Sequence, residues 1–188
     1  MPPGPLIVIS GPSGSGKSTL VRRLLADPPG PMRLSVSVTT RKQRAQERDG
    51  VDYHYWTVER VRDEIERGGF LEWADVFGNY YGTLVAEVEP FRIQGQGVLL
   101  EIDVNGWAQV KLKCADAVSI FIRTSSLDVL NERLHRRQSE TAESIERRLA
   151  GARLEMARIH EYHHQVVNDN LEDALKNLRA IISPLFTR

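Results

Sequence analysis

Short apolar, β-branched runs alternate with amphipathic stretches along this chain. The runs predict strands at 6–10, 34–38, 98–102, 118–122 and 165–167. The amphipathic stretches predict helices at 17–26, 58–67, 85–94, 105–113, 126–136, 142–162 and 171–183. Strands that alternate with helices imply a parallel sheet with right-handed crossovers and helices on both faces, an α/β fold. Residues 39–96 break the rhythm with many aromatics and glycines and predict a small insert over the sheet. Residues 128–150 are charged and nearly free of large apolar side chains after Leu134, which predicts a mobile helical flap. There is no internal repeat and no low-complexity linker.

Composition narrows the setting. The 188 residues suffice for one domain with a real core. Lys plus Arg and Asp plus Glu number 25 each, so no global charge favours nucleic acid or an anionic membrane as partner. Any anion site has to be built locally from placed arginines. The single cysteine, Cys114, excludes an internal disulfide framework and suits a reducing compartment. No apolar run approaches the roughly 20 residues of a membrane helix. The opening MPPGPL lacks a secretory pattern, so a cytoplasmic enzyme or binding domain is expected.

Directly after the first apolar run comes GPSGSGKST, which fits G-x-x-x-x-G-K-[ST]. Gly11, Gly14 and Gly16 let the backbone curl so that several N–H groups point inward. The intervening Ser13 and Ser15 and the following Thr19 belong to the same loop. The next helix starts near Lys17 and presents its positive dipole end to an anion. Lys17 is expected to reach the β- and γ-phosphates of a bound nucleotide, and the Ser18 hydroxyl to ligate Mg²⁺.

The run VLLEIDVNG predicts a strand ending in Glu101 and Asp103. Side chains at i and i+2 share one face, and ligands of open α/β sheets bind beyond the carboxyl ends of the strands. Both carboxylates are therefore expected at the nucleotide site, with Asp103 steadying Mg²⁺ through water or holding Lys17. Residues 103–106 also fit D-x-x-G, used by GTP-hydrolysing switches, but the chain has no N-K-x-D guanine reader.

Further motifs follow in order: TTRKQR, DGVDY, GGFLEW, GNYYGT, LEIDVNG and an arginine-rich flap. Together these span almost the whole chain, which resembles the guanylate kinases, enzymes that transfer a phosphoryl group from ATP to GMP. The resemblance implies a P-loop NTPase-like sheet, with a core of residues 1–36, 97–127 and 151–188, a GMP-binding insert of 37–96 and a lid of 128–150. It implies GMP as acceptor, with dGMP as a second, and a place in purine nucleotide metabolism. It further implies that Arg41, Arg44, Tyr53 and Tyr81 hold the acceptor phosphate. Arginine forks match phosphate oxygens, and tyrosine hydroxyls add neutral donors.

Guanine presents two donors, N1–H and the 2-amino group, where adenine presents neither. On the same resemblance Glu72 reads that edge, Thr83 and Ser37 donate to its polar side beside Gly82, and Glu101 and Asp103 lie at the acceptor site. Glu101 takes a 2-amino hydrogen. Arg133, Arg137 and Arg148 close over the phosphates, and Asn168 lies at the turn that holds adenine. Phosphoryl transfer needs alignment and positive charge around the moving group more than covalent help.

Departures from the family pattern are Val38, Ala45, Gln46, Trp107 and Gln138, and none removes a proposed ligand group. Tyr55, Tyr80, Trp56 and Trp73 are read as packing, Arg136 and Arg147 as solvated, and Cys114 as core. His160, His163 and His164 have zinc-like spacing, but no cysteine or carboxylate set accompanies them. A scaffold module that binds phosphopeptides would carry a degraded phosphate loop, which this chain does not. The expected assembly is a monomer or small homo-oligomer.

Overall fold

The structure is a computed structural model, and it describes residues 2–136 and 142–187. The chain runs β1 (Leu6–Ser10), α1 (Lys17–Ala26), β2 (Met32–Leu34), β3 (Val38–Thr39), β4 (His54–Tyr55), α2 (Val58–Glu66), β5 (Phe70–Val76) and β6 (Asn79–Leu84). It continues with α3 (Glu89–Ile93), β7 (Gly97–Glu101), α4 (Val104–Lys113), β8 (Val118–Arg123), α5 (Leu127–His135), α6 (Ala142–Ala157), β9 (His164–Val167) and α7 (Leu171–Ile182).

β1 is central in a five-stranded parallel sheet of order β2-β7-β1-β8-β9. Its five residues are all buried, because a parallel strand carries a helix layer on each face. Ile7 and Ile9 face one core with Leu20 and Leu24 of α1 and Leu178 and Ile182 of α7. Leu6 and Val8 face the other, with Val104, Trp107 and Val110 of α4. The period-two alternation of β1 thus glues both layers together. All five strands point their carboxyl ends the same way, so the loops after β1 and β7 emerge side by side.

A second, four-stranded sheet of order β4-β3-β6-β5 lies within residues 38–84. Val38, Val61, Phe70 and Leu84 form its small core with Trp56 and Tyr80 packed against it. β5 and β6 make a tight hairpin in which Val76 pairs with Asn79, and both turn residues, Phe77 (φ 53°) and Gly78 (φ 80°), have positive φ. That is the signature of a turn whose twist matches its strands, and Asp75 steadies it by accepting from the Gly78 amide at 2.8 Å. α5 and α6 pack through Leu130, Leu134, Ile145 and Ala152.

Three sequence expectations are corrected. The run at 34–38 is not one strand: β2 ends at Leu34 and β3 begins at Val38 in the other sheet. Ser35 still gives its amide to Leu99 at 3.0 Å, after which the chain crosses over. Apolar alternation cannot distinguish a strand that continues from one that changes sheets. The helix at 85–94 breaks at Val88 (φ −121°) into a single 3₁₀ turn, Val85–Glu87, and α3. Pro90 lacks an N–H and fits only a first turn, so the helix restarts just ahead of it. The helix at 142–162 stops at Ala157. Beyond it a 3₁₀ turn, Ile159–Glu161, is pinned by the Trp107 indole donating to the Glu161 carbonyl at 3.1 Å.

Candidate active site

The loop between β1 and α1 wraps around its own lysine. A Cβ on Gly11 would lie 2.0 Å from the Ile122 carbonyl oxygen, so only glycine lets the loop leave β1 against β8. Lys17 Nζ donates to the Gly11 carbonyl and to that of Pro12 at 3.1 Å. Burial lowers the Lys17 pKa, opposed by Glu155, Glu101 and Asp103. The lysine is thus partly withdrawn from solvent and faces three acids. Ser18 Oγ donates to Glu101 at 2.5 Å. Ser13, Gly14, Gly16, Lys17, Ser18 and Thr19 line one recess of about 140 Å³. Ser15 is fully buried beneath it.

Asn168, at the end of β9, is 4% exposed and braces this loop from below. Its Nδ2 donates to the Ser15 carbonyl at 2.7 Å, and its own amide donates to Arg123 at 2.7 Å. A Cβ on Gly16 (φ 88°) would come within 2.3 Å of that Nδ2. The side chain therefore supports the loop from the core side.

A cleft of about 500 Å³ runs from Gly11, Lys17 and Ser18 past Glu101 and Asp103 to Ser37 and Tyr53. It opens into a second hollow of about 280 Å³ lined by Glu72, Tyr81 and Gly82. Ser37, Tyr53, Glu101, Ile102 and Asp103 line both. Glu72 on the wall of the inner hollow is 7% exposed, and it accepts at 2.7 Å from Oγ1 of Thr83, which is fully buried. Burial pushes the Glu72 pKa up, only partly offset by that hydroxyl. Asp103 caps α4, accepting from the amides of Asn105 at 2.9 Å and Gly106 at 2.8 Å.

At the outer rim Arg41 lies over the Tyr53 ring, and Tyr53 meets Tyr81 edge to face at 6.1 Å between centroids. Arg41 Nη2 donates to both oxygens of Glu47 at 2.8 and 3.0 Å. The Arg44 guanidinium is largely exposed and lies 3.8 Å from the same carboxylate, which its backbone amide reaches at 2.9 Å. From the other side α6 brings Arg148 to Ser13 Oγ at 2.8 Å, and α5 brings Arg133 to the Asp169 carbonyl at 3.0 Å. Arg137 lies outside the described residues.

Two acids of this neighbourhood escaped the sequence reading. Glu155, half-buried on α6, lines the cleft opposite Lys17, and burial raises its pKa. Its signal was a lone carboxylate among the inward residues Ala152, Met156 and Ile159. Glu47 was the one acid in a run of four cations. Tyr55, read as packing, also gives its hydroxyl to Glu47 at 2.8 Å. His163 Nδ1 lies 3.1 Å from both the amide and the hydroxyl of Ser119. Among the described residues no three His, Cys, Asp or Glu side chains are grouped to hold a metal.

Comparison with known proteins follows the same lines. The sequence model of one family, described as Guanylate kinase, matches residues 4–185. The chain belongs to the guanylate kinase family. It is 44% identical to the guanylate kinase of Myxococcus xanthus, over 97% of this chain and 87% of that one. It is 47% identical to that of Methylobacillus flagellatus, over 95% and 88%. The crystal structure of guanylate kinase from Anaplasma phagocytophilum superposes with a TM-score of 0.78 at 30% identity, covering 99% of this chain and 88% of that one. Membership of the guanylate kinases fits a nucleotide-binding transferase built on this P-loop sheet. No helix among the described residues is long and apolar enough to cross a membrane.

Proposed function

We propose that this guanylate kinase family chain transfers the γ-phosphoryl group of ATP to GMP, giving ADP and GDP, with dGMP as a second acceptor. One observation carries the reading. The phosphate loop and the Glu72–Thr83 hollow open into each other across a shared wall of Glu101, Ile102 and Asp103. A donor triphosphate at one end and a purine at the other would meet between Lys17 and Arg41.

Glu72 accepts from guanine N1–H and the 2-amino group, and Thr83 steadies the carboxylate. Adenine would leave that buried acid unpaired, at a cost of about 1–3 kcal/mol. Arg41, Arg44, Tyr53 and Tyr81 hold the acceptor phosphate, and Ser37 and Gly82 line the base. The loop amides, with Lys17 leaving its resting carbonyls, take the β- and γ-phosphates. Arg133, Arg137 and Arg148 bring positive charge over them. The acceptor oxygen is already anionic at neutral pH, so no general base is required.

Mg²⁺ fits the donors present: the Ser18 hydroxyl and the Glu101 carboxylate are hard oxygen groups 2.5 Å apart, with Asp103 nearby. Such ions take one or two protein ligands plus phosphates, and this one would neutralise charge on the β- and γ-oxygens. With its buried free Cys114, the chain suits a reducing cytoplasm, as a monomer or small homo-oligomer, in purine nucleotide metabolism.

ADP release measured with GMP, dGMP, AMP, CMP and UMP tests the assignment. GMP and dGMP should support turnover and AMP should be poorer by tenfold or more, the ratio expected from about 1.4 kcal/mol. Equal rates with AMP would overturn it.

A further inference from the structure

We infer that Glu47 is a positioning residue for the acceptor phosphate: its carboxylate is the internal anion around which the arginine loop folds and Arg41 is aimed. This rests on the reading that Arg41 and Arg44 face that phosphate. Residues 41–48 carry Arg41, Lys42, Arg44 and Arg48 against the single acid Glu47. Between Arg41 and Gly50 only Arg41 and Glu47 are withdrawn from solvent, so apolar burial cannot order the loop.

Glu47 supplies the order instead. It takes Arg41 Nη2 on both oxygens at 2.8 and 3.0 Å, the Arg44 amide at 2.9 Å and the Tyr55 hydroxyl at 2.8 Å. Its own amide closes the loop on the Arg44 carbonyl at 3.0 Å. The contacts on the carboxylate come from the start and the middle of the loop and from β4, so it fixes the loop to the second sheet. Arg41 gives Nη2 to Glu47 and one Nη1 hydrogen to the Lys42 carbonyl at 2.8 Å, and it also hydrogen-bonds Tyr81, itself a proposed phosphate ligand. With five N–H groups in a rigid fork, it keeps donors for a phosphate, and their direction is set by the partner that holds the other edge. The Arg41 contact, with the Arg44 amide and Tyr55, holds the Glu47 carboxyl at a pKa of about 2, so it is ionised throughout the neutral range. A carboxylate could instead compete with the phosphate for Arg41. It bears one charge against the phosphate's two and takes one nitrogen of three, so aiming should outweigh competition.

The test is calorimetric binding of GMP and of guanosine to the full chain and its Glu47→Gln, Tyr55→Phe and Arg41→Ala variants, with KM for GMP and ATP alongside. Glu47→Gln should weaken GMP on the order of tenfold, as loss of a supporting partner does. Guanosine affinity, ATP KM and the melting temperature should stay near wild type. Tyr55→Phe should give a smaller loss of the same kind, and it carries the test if the glutamine variant does not fold. Unchanged or tighter GMP binding in both variants, while Arg41→Ala abolishes the preference for GMP over guanosine, overturns the role of Glu47. Equal loss of guanosine overturns it too, by making the effect general. If Arg41→Ala leaves the preference intact, the phosphate reading itself falls and this inference with it.

Discussion

Glu72, the residue proposed to read guanine, is buried at the expense of stability. Burial raises its pKa above the ordinary 4.5, so the folded protein holds a proton there that the unfolded chain has released. Between 4.5 and the raised value the native state binds more protons, and stability falls as pH rises through that window. Above that window the buried carboxylate is a net cost to the folded state. Glu72→Gln keeps an acceptor for Thr83 and removes the charge. We expect its melting temperature at neutral pH to rise by about 2–4 °C if about 1 kcal/mol is relieved, while GMP turnover drops. Thermal scans at neutral pH and at pH 4 check the sign, because the difference should shrink in acid. The sequence marked Glu72 through its motif, but its burial and the direction of its titration come from the fold.

At the scale of elements, the phosphate loop is a turn held by a residue distant in sequence. Its glycines permit the curl, yet Asn168, over 150 residues away in sequence, fixes it from β9. Asn168→Ala would leave the buried Ser15 carbonyl without its donor, at a cost of about 1–3 kcal/mol. The expected result is a several-fold higher KM for ATP and a lower melting temperature, with GMP binding unchanged in calorimetry. Equal loss of GMP affinity would count against a brace confined to this loop. The motif GPSGSGKST was legible because its spacing is local. The brace was not, because only the parallel pairing of β8 with β9 carries Asn168 beneath the loop.

For the whole molecule, the relevant feature is how the two sheets are joined. Glu87 lies where the chain returns to the core. It accepts from Arg33 on β2 at 2.8 Å, from the Val36 amide at 3.4 Å and pairs with His54 Nε2 on β4 at 2.9 Å. Burial favours its neutral form, yet His54 and Arg33 hold its pKa below 4.5. It therefore stabilises the joint above pH 4.5, and that contribution fades as pH falls through the lowered value. Glu87→Gln should speed amide exchange in β3 and β6 at neutral pH and leave β1, β7 and β8 protected. Hydrogen exchange followed by mass spectrometry measures both regions at once.

The sequence alone determined the parallel sheet, the phosphate loop, the order of motifs and the family they resemble. Each is written in neighbouring residues: apolar runs, glycine spacing, an arginine pair. The strands of 38–84 were poorly legible because FLEWADV and NYYGTL mix polar with aromatic positions and earn their pairing from each other. Tertiary structure alone decided that the run at 34–38 splits between sheets, that Asn168 faces the loop from inside, and that Glu155 and Glu47 stand beside Lys17 and Arg41. Those facts depend on contacts between distant segments, and a contact energy of that kind leaves no periodic mark on the segments that share it.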